Sequence, residues 1–208
     1  MDDALLSQNE LERFLKLAPS PRGRRVADFG CGTGKWTRQL AQWGAQEVTG
    51  YDSSPEALRL ARRHERPGVT YESYDVNGDS IPSTLRPGSL HLVTCRYSLA
   101  YFDIEQFLTD VARWLTSDGA LYVLTPVADE QPATSSPSAD EDPCRRALPR
   151  AQLNNLLGTT WWARQRCQHD RAATTIVLQG PVPPAPLSPA ARARLAPLRH
   201  SPRHDGRS

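Results

Sequence analysis

Apolar and polar residues follow two different periods along the central part of the chain. Short apolar runs bounded by glycine or polar residues have the length and composition of β-strands. Between them, apolar residues recur every three or four positions, which is the spacing of one face of an α-helix. The predicted strands cover residues 25–29, 47–51, 69–74, 90–95, 120–125, 161–168 and 174–179.

The predicted helices have residues typical of helix ends. Ser54 is a capping residue, and Pro55 occupies the first helical position after it. Asp103 is placed to cap an amphipathic run, and Gly158 is placed to end the last helix. The predicted helices cover residues 34–43, 104–115 and 150–157, together with the run that begins after Ser54.

A further helix is predicted near the start of the chain. Ser7 and Glu10 have the spacing of a capping box. Leu11, Phe14 and Leu15 give this helix an apolar face. We expect that face to pack against the domain rather than to fold over a ligand cleft.

Strands that alternate with helices predict an α/β fold. The sheet is expected to be mostly parallel, with helices on both faces, because each crossover places a helix against the sheet. The last two of the seven predicted strands are separated by a polar turn, so they are expected to pair antiparallel. Sheets of this kind bind ligands at the carboxyl ends of their strands, which is where we expect the site.

Composition divides the chain into parts. Residues 181–208 carry seven prolines, five arginines and one aspartate, a net charge of +4, whereas the whole chain carries +2. This basic tail lacks aromatic residues, so we predict that it is disordered and does not bind nucleic acid. Residues 128–147 are acidic and proline-rich and predict a surface insertion, either a lid or a disordered loop. The predicted parts are a lead-in over 1–23, a domain over 24–180 and the tail over 181–208.

Several classes of protein are excluded by the same features. The longest apolar run is only five residues, 120–124, so no membrane span is predicted. The first residues include Asp2 and Asp3 and have no apolar segment typical of a secretory signal. The four cysteines lie far apart, which predicts neither a disulfide framework nor a metal site and favours a cytoplasmic location.

The most informative segment is the glycine-rich turn after the first predicted strand. A phosphate-binding P-loop is excluded, because Phe29 and Trp36 stand where that motif needs glycine and serine or threonine. A dinucleotide loop is weakened but stays open, since its third glycine comes one residue early and Lys35 takes that place. The pattern D-x-G-x-G-x-G fits residues 28–34 without exception.

This pattern resembles the first motif of class I S-adenosylmethionine-dependent methyltransferases. The resemblance extends in several segments from about residue 24 to residue 180. It implies a Rossmann-like three-layer sandwich with a seven-stranded, mostly parallel sheet whose last strand is antiparallel. It also implies that Gly30, Gly32 and Gly34 pass beside the methionine and ribose of S-adenosylmethionine, and that Asp28 holds the methionine amino group.

Three further segments match the same family in order. The resemblance makes Asp52, at the end of the second strand, the acceptor for both ribose hydroxyls. It makes Asp75 a partner of the adenine amino group and Val76 an apolar contact of the ring. Residues 113–119 match the end of the helix that precedes the fifth strand, which is a structural feature. Other residues that the resemblance places at the cofactor are Cys31, Ser53 and Cys95.

One departure from the family bears on the acceptor. Residues 95–98 lack the Asn/Asp-Pro-Pro-Tyr/Phe motif of enzymes that methylate exocyclic or amide nitrogens. This argues against methylation of adenine N6 or of glutamine. Because the sequence is close to a minimal catalytic domain with no added RNA- or DNA-binding module, we predict a methyltransferase that acts on an O, N or C atom of a small molecule. Two alternatives stay open, namely an NAD(P)-dependent oxidoreductase and a non-catalytic cofactor-binding protein.

No universal catalytic residue is expected, because methyl transfer from a sulfonium mainly requires alignment and exclusion of water. Tyr97 and Tyr101 are weak candidates for orienting the acceptor. Arg96 is a candidate for holding an anionic substrate or the cofactor carboxylate. His169 and His91 are expected to be solvent-exposed, and no metal is predicted.

Overall fold

The computed structural model describes residues 6–64, 66–128, 146–170 and 173–182. Most of the predicted insertion and nearly all of the tail lie outside these residues. The helices are α1 (Gln8–Leu17), α2 (Lys35–Gln42), α3 (Pro55–Arg62), α4 (Ile104–Trp114) and α5 (Arg150–Leu157), with a 3-10 turn at Leu99–Tyr101. The strands are β1 (Arg25–Phe29), β2 (Glu47–Asp52), β3 (Val69–Ser73), β4 (Leu90–Arg96), β5 (Leu115–Thr125), β6 (Val127–Ala128), β7 (Leu148–Pro149), β8 (Trp162–His169) and β9 (Thr174–Pro181).

Seven strands form one sheet in the order β3-β2-β1-β4-β5-β9-β8. The pairs from β3 to β5 are parallel, and β9 is antiparallel to both of its neighbours. The predicted fold class is therefore confirmed. The chain leaves β1 toward β2 on one side and later returns to β4 on the other. This reversal opens a crevice at the carboxyl ends of β1 and β4.

Helices cover both faces of the sheet, as β5 shows most clearly. Leu121 and Val123 belong to the apolar core beneath α4 and α5, whereas Tyr122 and Leu124 belong to the core beneath α1 and α2. Successive side chains of a strand point to opposite faces, so one strand contributes to both cores.

The predicted helix starts are present. The Ser54 hydroxyl accepts the Ala57 N–H at 3.2 Å, and the Asp103 carboxylate accepts the Gln106 N–H at 3.1 Å. Each bond satisfies a backbone donor that the first turn of a helix leaves unpaired. The capping box of α1 is also confirmed.

Two sequence expectations are corrected. Leu15 is 58 % exposed, because the buried stripe of α1 follows Glu10, Phe14 and Leu17 and turns Leu15 outward. Strand β5 begins at Leu115, not at residue 120. Leu115 pairs with Leu90, and the ladder resumes only at Ala120, so the residues between them, which were expected to precede the strand, form an irregularity inside it.

The ends of the predicted insertion lie together. Val127 pairs with Leu148, and Ala128 pairs with Pro149, in a short parallel ladder. Residues 129–145 between them lie outside the described residues, as do residues 183–208 of the tail.

Among the described helices, none combines the length and apolar character that crossing a bilayer requires.

Candidate functional site

A cleft of about 150 Å³ opens where the carboxyl ends of β1, β2, β3 and β4 meet. Tyr101 and Phe102 cover one side of it, from the segment that follows β4. The fold thus brings together residues that are far apart in the chain. Five of the predicted cofactor residues line this cleft, namely Gly30, Asp52, Ser53, Asp75 and Val76.

The glycine loop is shaped for close approach. Gly30 has a φ of +67°, and a Cβ placed on it would lie 2.0 Å from the Ser98 hydroxyl oxygen. Gly34 has a φ of +76°, and a Cβ there would lie 2.3 Å from the Tyr71 hydroxyl oxygen. A larger residue at either position would meet both a backbone penalty and a collision. The loop therefore presents bare backbone to the cleft at Gly30.

Asp52 links the glycine loop to the start of α3. Its Oδ2 accepts the Gly32 N–H at 2.8 Å, and its Oδ1 accepts the Ser54 N–H at 2.9 Å. Each carboxylate oxygen can accept more than one hydrogen bond, so both retain capacity toward the cleft. Its predicted contact with ribose stays a prediction.

Asp28 lies beneath the loop and does not line the cleft. Its side chain is buried, and its two oxygens accept hydrogen bonds from the hydroxyls of Thr37 and Thr94, both at 2.7 Å. Burial outweighs these bonds and raises the pKa of Asp28 to about 6. The carboxyl thus supports the loop from below, and its predicted contact with the methionine amino group stays a prediction.

Asp75 and Val76 form the far end of the cleft. The Asp75 carboxylate is exposed and accepts the Asn77 N–H at 3.0 Å. Val76 packs against the apolar core on the α4 side of the sheet. A polar acceptor beside an apolar side chain suits a planar ring with an exocyclic donor. Their assignment to adenine stays a prediction.

The two predicted cysteines, Cys31 and Cys95, do not line the cleft. Both thiols are buried in apolar clusters, and burial raises their pKa well above the usual range for cysteine. A neutral buried thiol is a packing group. Any contact that these residues make with a ligand would therefore use the backbone.

Arg96 does not have the role that its position suggested. Its guanidinium lies 2.7 Å from the Glu10 carboxylate and 4.5 Å from the Trp36 ring centroid. The expectation that Arg96 holds an anion is thus corrected, because α1 already supplies its counter-charge. From the sequence, Glu10 was assigned only to the capping box, although an acid one turn from Phe14, on the apolar face of α1, could have indicated a buried partner.

Tyr97 and Tyr101 face different surroundings. The Tyr97 hydroxyl donates to the Glu10 carboxylate, and the residue has a φ of 60°, the only positive value for a non-glycine residue in the described ranges. Burial raises the pKa of Tyr97. Tyr101, in contrast, is 37 % exposed and lines the cleft. Tyr101 is therefore the better placed of the two candidates.

The two histidines lie outside the cleft. His169 is exposed, as expected, and its Nδ1 lies 3.0 Å from the Thr174 hydroxyl. His91 is half-buried, which corrects its expected exposure, and its Nδ1 accepts the Arg25 N–H at 3.3 Å. No group of acids, histidines and cysteines suited to a metal occurs in the part of the chain that the structure describes.

A second cleft of about 370 Å³ adjoins the first. Tyr101 and Phe102 belong to both clefts, so they form a common wall. On the far side of Tyr101, the Arg146 guanidinium lies 5.8 Å from the tyrosine ring centroid. The larger cleft therefore borders the predicted cofactor site through Tyr101 and Phe102.

Comparison with known sequences supports this geometry. The sequence model of the family described as "Methyltransferase domain" matches residues 26–119, which include the glycine loop and both cleft acids. Residues 26–119 are therefore similar to a methyltransferase domain. A ubiquinone biosynthesis O-methyltransferase from Xanthomonas euvesicatoria pv. vesicatoria is 34 % identical over 104 residues, covering 50 % of this chain and 43 % of the relative. One of the same name from Bordetella avium is 39 % identical over 92 residues, covering 44 % of this chain and 37 % of the relative. The chain thus spans about two fifths of the length of these relatives.

Solved structures extend the similarity beyond residues 26–119 to about four fifths of the chain. An S-adenosylmethionine-dependent methyltransferase from Mesorhizobium loti has a TM-score of 0.61 at 20 % identity, covering 82 % of this chain and 97 % of the other. One from Aquifex aeolicus has a TM-score of 0.60 at 16 % identity, covering 81 % and 88 %. At these identities the likeness establishes the fold.

Proposed function

We propose that the chain is an S-adenosylmethionine-dependent methyltransferase that acts on a small molecule. The observation that carries this proposal is the cleft inside the methyltransferase domain. It joins the bare backbone of Gly30 to two carboxylates, Asp52 and Asp75, at the carboxyl ends of three strands. The matching family and the fold of the solved structures support the same reaction class.

The donor set fits this cofactor. Asp52 offers two carboxylate oxygens at the position where a vicinal diol can donate to both. Asp75 and Val76 offer an acceptor and an apolar surface to an aminopurine. Gly30 lets the loop lie directly against Ser98 at the edge of the cleft, because a Cβ there would collide with the Ser98 side chain.

When bound, S-adenosylmethionine supplies a methyl group on a positively charged sulfur, so the displacement needs little help from the protein. The protein's part is to hold donor and acceptor in line and to exclude water. Tyr101 and Phe102 are the side chains that separate the cofactor cleft from the larger space beside it. We assign them to shielding and orientation, and the acceptor atom is an O, N or C atom.

Two other functions compete with this proposal. An NAD(P)-dependent oxidoreductase is not favoured, because the matching family and curated relatives are methyltransferases and the glycine spacing departs from a dinucleotide loop. A non-catalytic cofactor-binding protein would keep the cleft but not transfer a methyl group.

The free cysteines Cys31, Cys95 and Cys167 support a cytoplasmic location as part of the proposal.

Isothermal titration tests the proposal directly. We expect S-adenosylmethionine and S-adenosylhomocysteine to bind at micromolar concentration and NAD to give no heat of binding. Asp52→Asn should weaken binding by about tenfold to a hundredfold, because a charge-assisted acceptor is lost. Asp118→Asn is the matched control, since Asp118 lies near the start of β5, does not line the cleft, and its carboxylate accepts a hydrogen bond from the Thr116 hydroxyl. Absence of binding by both sulfur compounds would overturn the proposal.

A further inference from the structure

The Asn77 side chain joins two segments that border the cofactor cleft. Its amide nitrogen donates to the Tyr101 carbonyl at 2.8 Å, and its amide oxygen accepts the Asp103 N–H at 2.7 Å. These two bonds, the amide bridge, lie on either side of Phe102, which lines the cleft. One side chain thus holds the covering segment, residues 101–103, against the segment that follows β3.

The sheet does not fix the distance between these two segments. They follow β3 and β4, and those strands are separated in the sheet by β2 and β1. In the described part of the chain, no backbone–backbone hydrogen bond joins residues 74–79 to residues 98–103. Val76 and Phe102 both pack against the core on the α4 side, but apolar packing is non-directional. The amide bridge therefore sets how closely the two segments approach at this end of the cleft.

A tight turn holds the backbone of Asn77 in place. The Asp75 carboxylate accepts the Asn77 N–H at 3.0 Å, and the Asp75 N–H donates to the Asp79 carboxylate at 2.8 Å. The Asp79 N–H donates back to the Asp75 carbonyl at 3.0 Å. Such side-chain bonds to nearby backbone stabilise turns. The acid assigned to the adenine amino group therefore also fixes the start of the amide bridge.

The amide bridge stands between the cofactor cleft and the larger cleft beside it. Asn77 lines the larger cleft of about 370 Å³, whereas Asp75 and Val76 line the cofactor cleft of about 150 Å³. Tyr101 and Phe102 line both. Space for an additional group therefore lies directly beyond the bridge, at the end of the cofactor cleft where the amino group of adenine is predicted.

We propose that Asn77 is a positioning residue that makes the cofactor cleft specific for an unsubstituted adenine. By holding Tyr101 and Asp103, it keeps the covering segment in place and closes the route from the adenine amino group into the larger cleft. A cofactor with a bulky group on that amino nitrogen is excluded, because the group would have to displace the covering segment. This inference rests on the proposed function, since the ring that the bridge confines is the adenine of S-adenosylmethionine.

The test compares S-adenosylhomocysteine with its analogue benzylated on the adenine amino nitrogen, by calorimetric titration of the whole chain. The wild type should bind the benzyl analogue about a hundredfold more weakly or worse. Asn77→Ala should weaken S-adenosylhomocysteine by about tenfold, because two hydrogen bonds that hold the wall are lost, yet it should bind the analogue more tightly than the wild type does. The ratio of the two affinities should therefore fall by more than about tenfold. General loosening of the fold would weaken both ligands alike and leave the ratio unchanged.

Two further variants separate the hydrogen bonds from the bulk of the side chain. Asn77→Asp keeps the size and the acceptor but cannot donate to the Tyr101 carbonyl, so its affinity ratio should also fall. Asn155→Ala is the matched control, since Asn155 is exposed on α5 and lines neither cleft. Its ratio should stay within about twofold of the wild type. Urea denaturation shows that each variant is folded under the conditions of the titration.

The outcomes are distinguishable. If S-adenosylhomocysteine binds but the wild type accepts the benzyl analogue equally well, or if either substitution of Asn77 leaves the ratio unchanged, the role of Asn77 is wrong and the proposed function stands. If S-adenosylhomocysteine itself does not bind, the proposed function fails and this inference fails with it.

Discussion

The Glu10 carboxylate lies 2.7 Å from the Arg96 guanidinium, which ties helix α1 to the last residue of β4. The two side chains are only 15 % and 11 % exposed. The next residue, Tyr97, donates to the same carboxylate, and Ser98 beyond it touches the glycine loop. A helix outside residues 26–119 thus holds the segment that forms one wall of the cleft.

Replacing Glu10 should cost both stability and affinity for the cofactor. Glu10→Ala leaves the Arg96 charge without its partner, and a loss of about 2–3 kcal/mol in the free energy of unfolding is expected, somewhat below the cost for full burial. Urea denaturation measures the loss, and titration with S-adenosylhomocysteine should show weaker binding at a temperature where the variant is folded. Glu12→Ala is the control, because Glu12 is exposed and its carboxylate accepts a hydrogen bond from Gln8 within the same helix. Equal stability of the two variants would contradict this account of α1.

Phe14 and Leu15 should differ sharply although they are neighbours on α1. Phe14 is 1 % exposed and its ring contacts Trp36, Trp43 and Tyr122. Phe14→Ala should therefore lower the free energy of unfolding by about 3–5 kcal/mol, whereas Leu15→Ala should stay within about 0.5 kcal/mol. Thermal and urea denaturation of both variants check this. A similar loss in both would mean that α1 is rotated relative to the arrangement described.

Gly30→Ala should be far more damaging than an equivalent change elsewhere. Gly88 has a similar φ of +64° but has nothing within 4 Å of an added Cβ, so Gly88→Ala should cost only the backbone penalty, about 1–2 kcal/mol. Gly30→Ala adds the collision with Ser98, and about 3 kcal/mol or more is expected. The difference in unfolding free energy between the two variants isolates the collision. Adding Ser98→Gly to Gly30→Ala should recover part of that difference, and no recovery would count against the close approach.

Stability should fall as the pH rises through the titration of Asp28. The ordinary pKa of this carboxyl is 3.8, and burial raises it to about 6 in the folded protein. The folded state therefore holds the proton more tightly, so the contribution of this group is fully present below about pH 4 and is lost as the pH passes 6, a change of about 2–3 kcal/mol.

Asp28→Asn provides the corresponding measurement. An amide can hydrogen-bond to both Thr37 and Thr94 without a charge, so denaturation curves of this variant should lack the fall between pH 4 and 6. Asp118→Asn should keep the fall, because the pKa of Asp118 is lowered by its bond with Thr116 rather than raised. The same dependence of stability on pH in the wild type and in Asp28→Asn over this interval would contradict the assignment to Asp28.

Most of the fold could be predicted from the sequence, because most of its helices and strands have recognisable residue patterns within a few adjacent positions. The start of α3 at Ser54 and Pro55 and the strand–loop–helix around residues 28–34 depend on adjacent residues, and both are confirmed. Asp52 and Asp75 both line the cleft, as expected, because the carboxyl ends of parallel strands lie at the same edge of the sheet. These are relationships that periodicity and connectivity determine.

Contacts between distant segments were not predictable in the same way. Glu10 and Arg96 are 86 positions apart, and only the docking angle of α1 brings them together. The same angle decides that Phe14 is buried and Leu15 is not, which spacing alone left undecided. The early start of β5 depends on the register against β4, a property of the pair of strands rather than of either sequence.

The position of β9 has a consequence for the order in which the protein is assembled. Among the described strands, β9 is the last to leave the ribosome, yet it lies inside the sheet between β5 and β8. Until it is present, β8 has no hydrogen-bonding neighbour in the sheet, and the outer edge of β5 is uncovered. The short hairpin of β8 and β9 can form by local contacts and then dock as a unit. The sheet is therefore completed only after all of its other described strands have been synthesised.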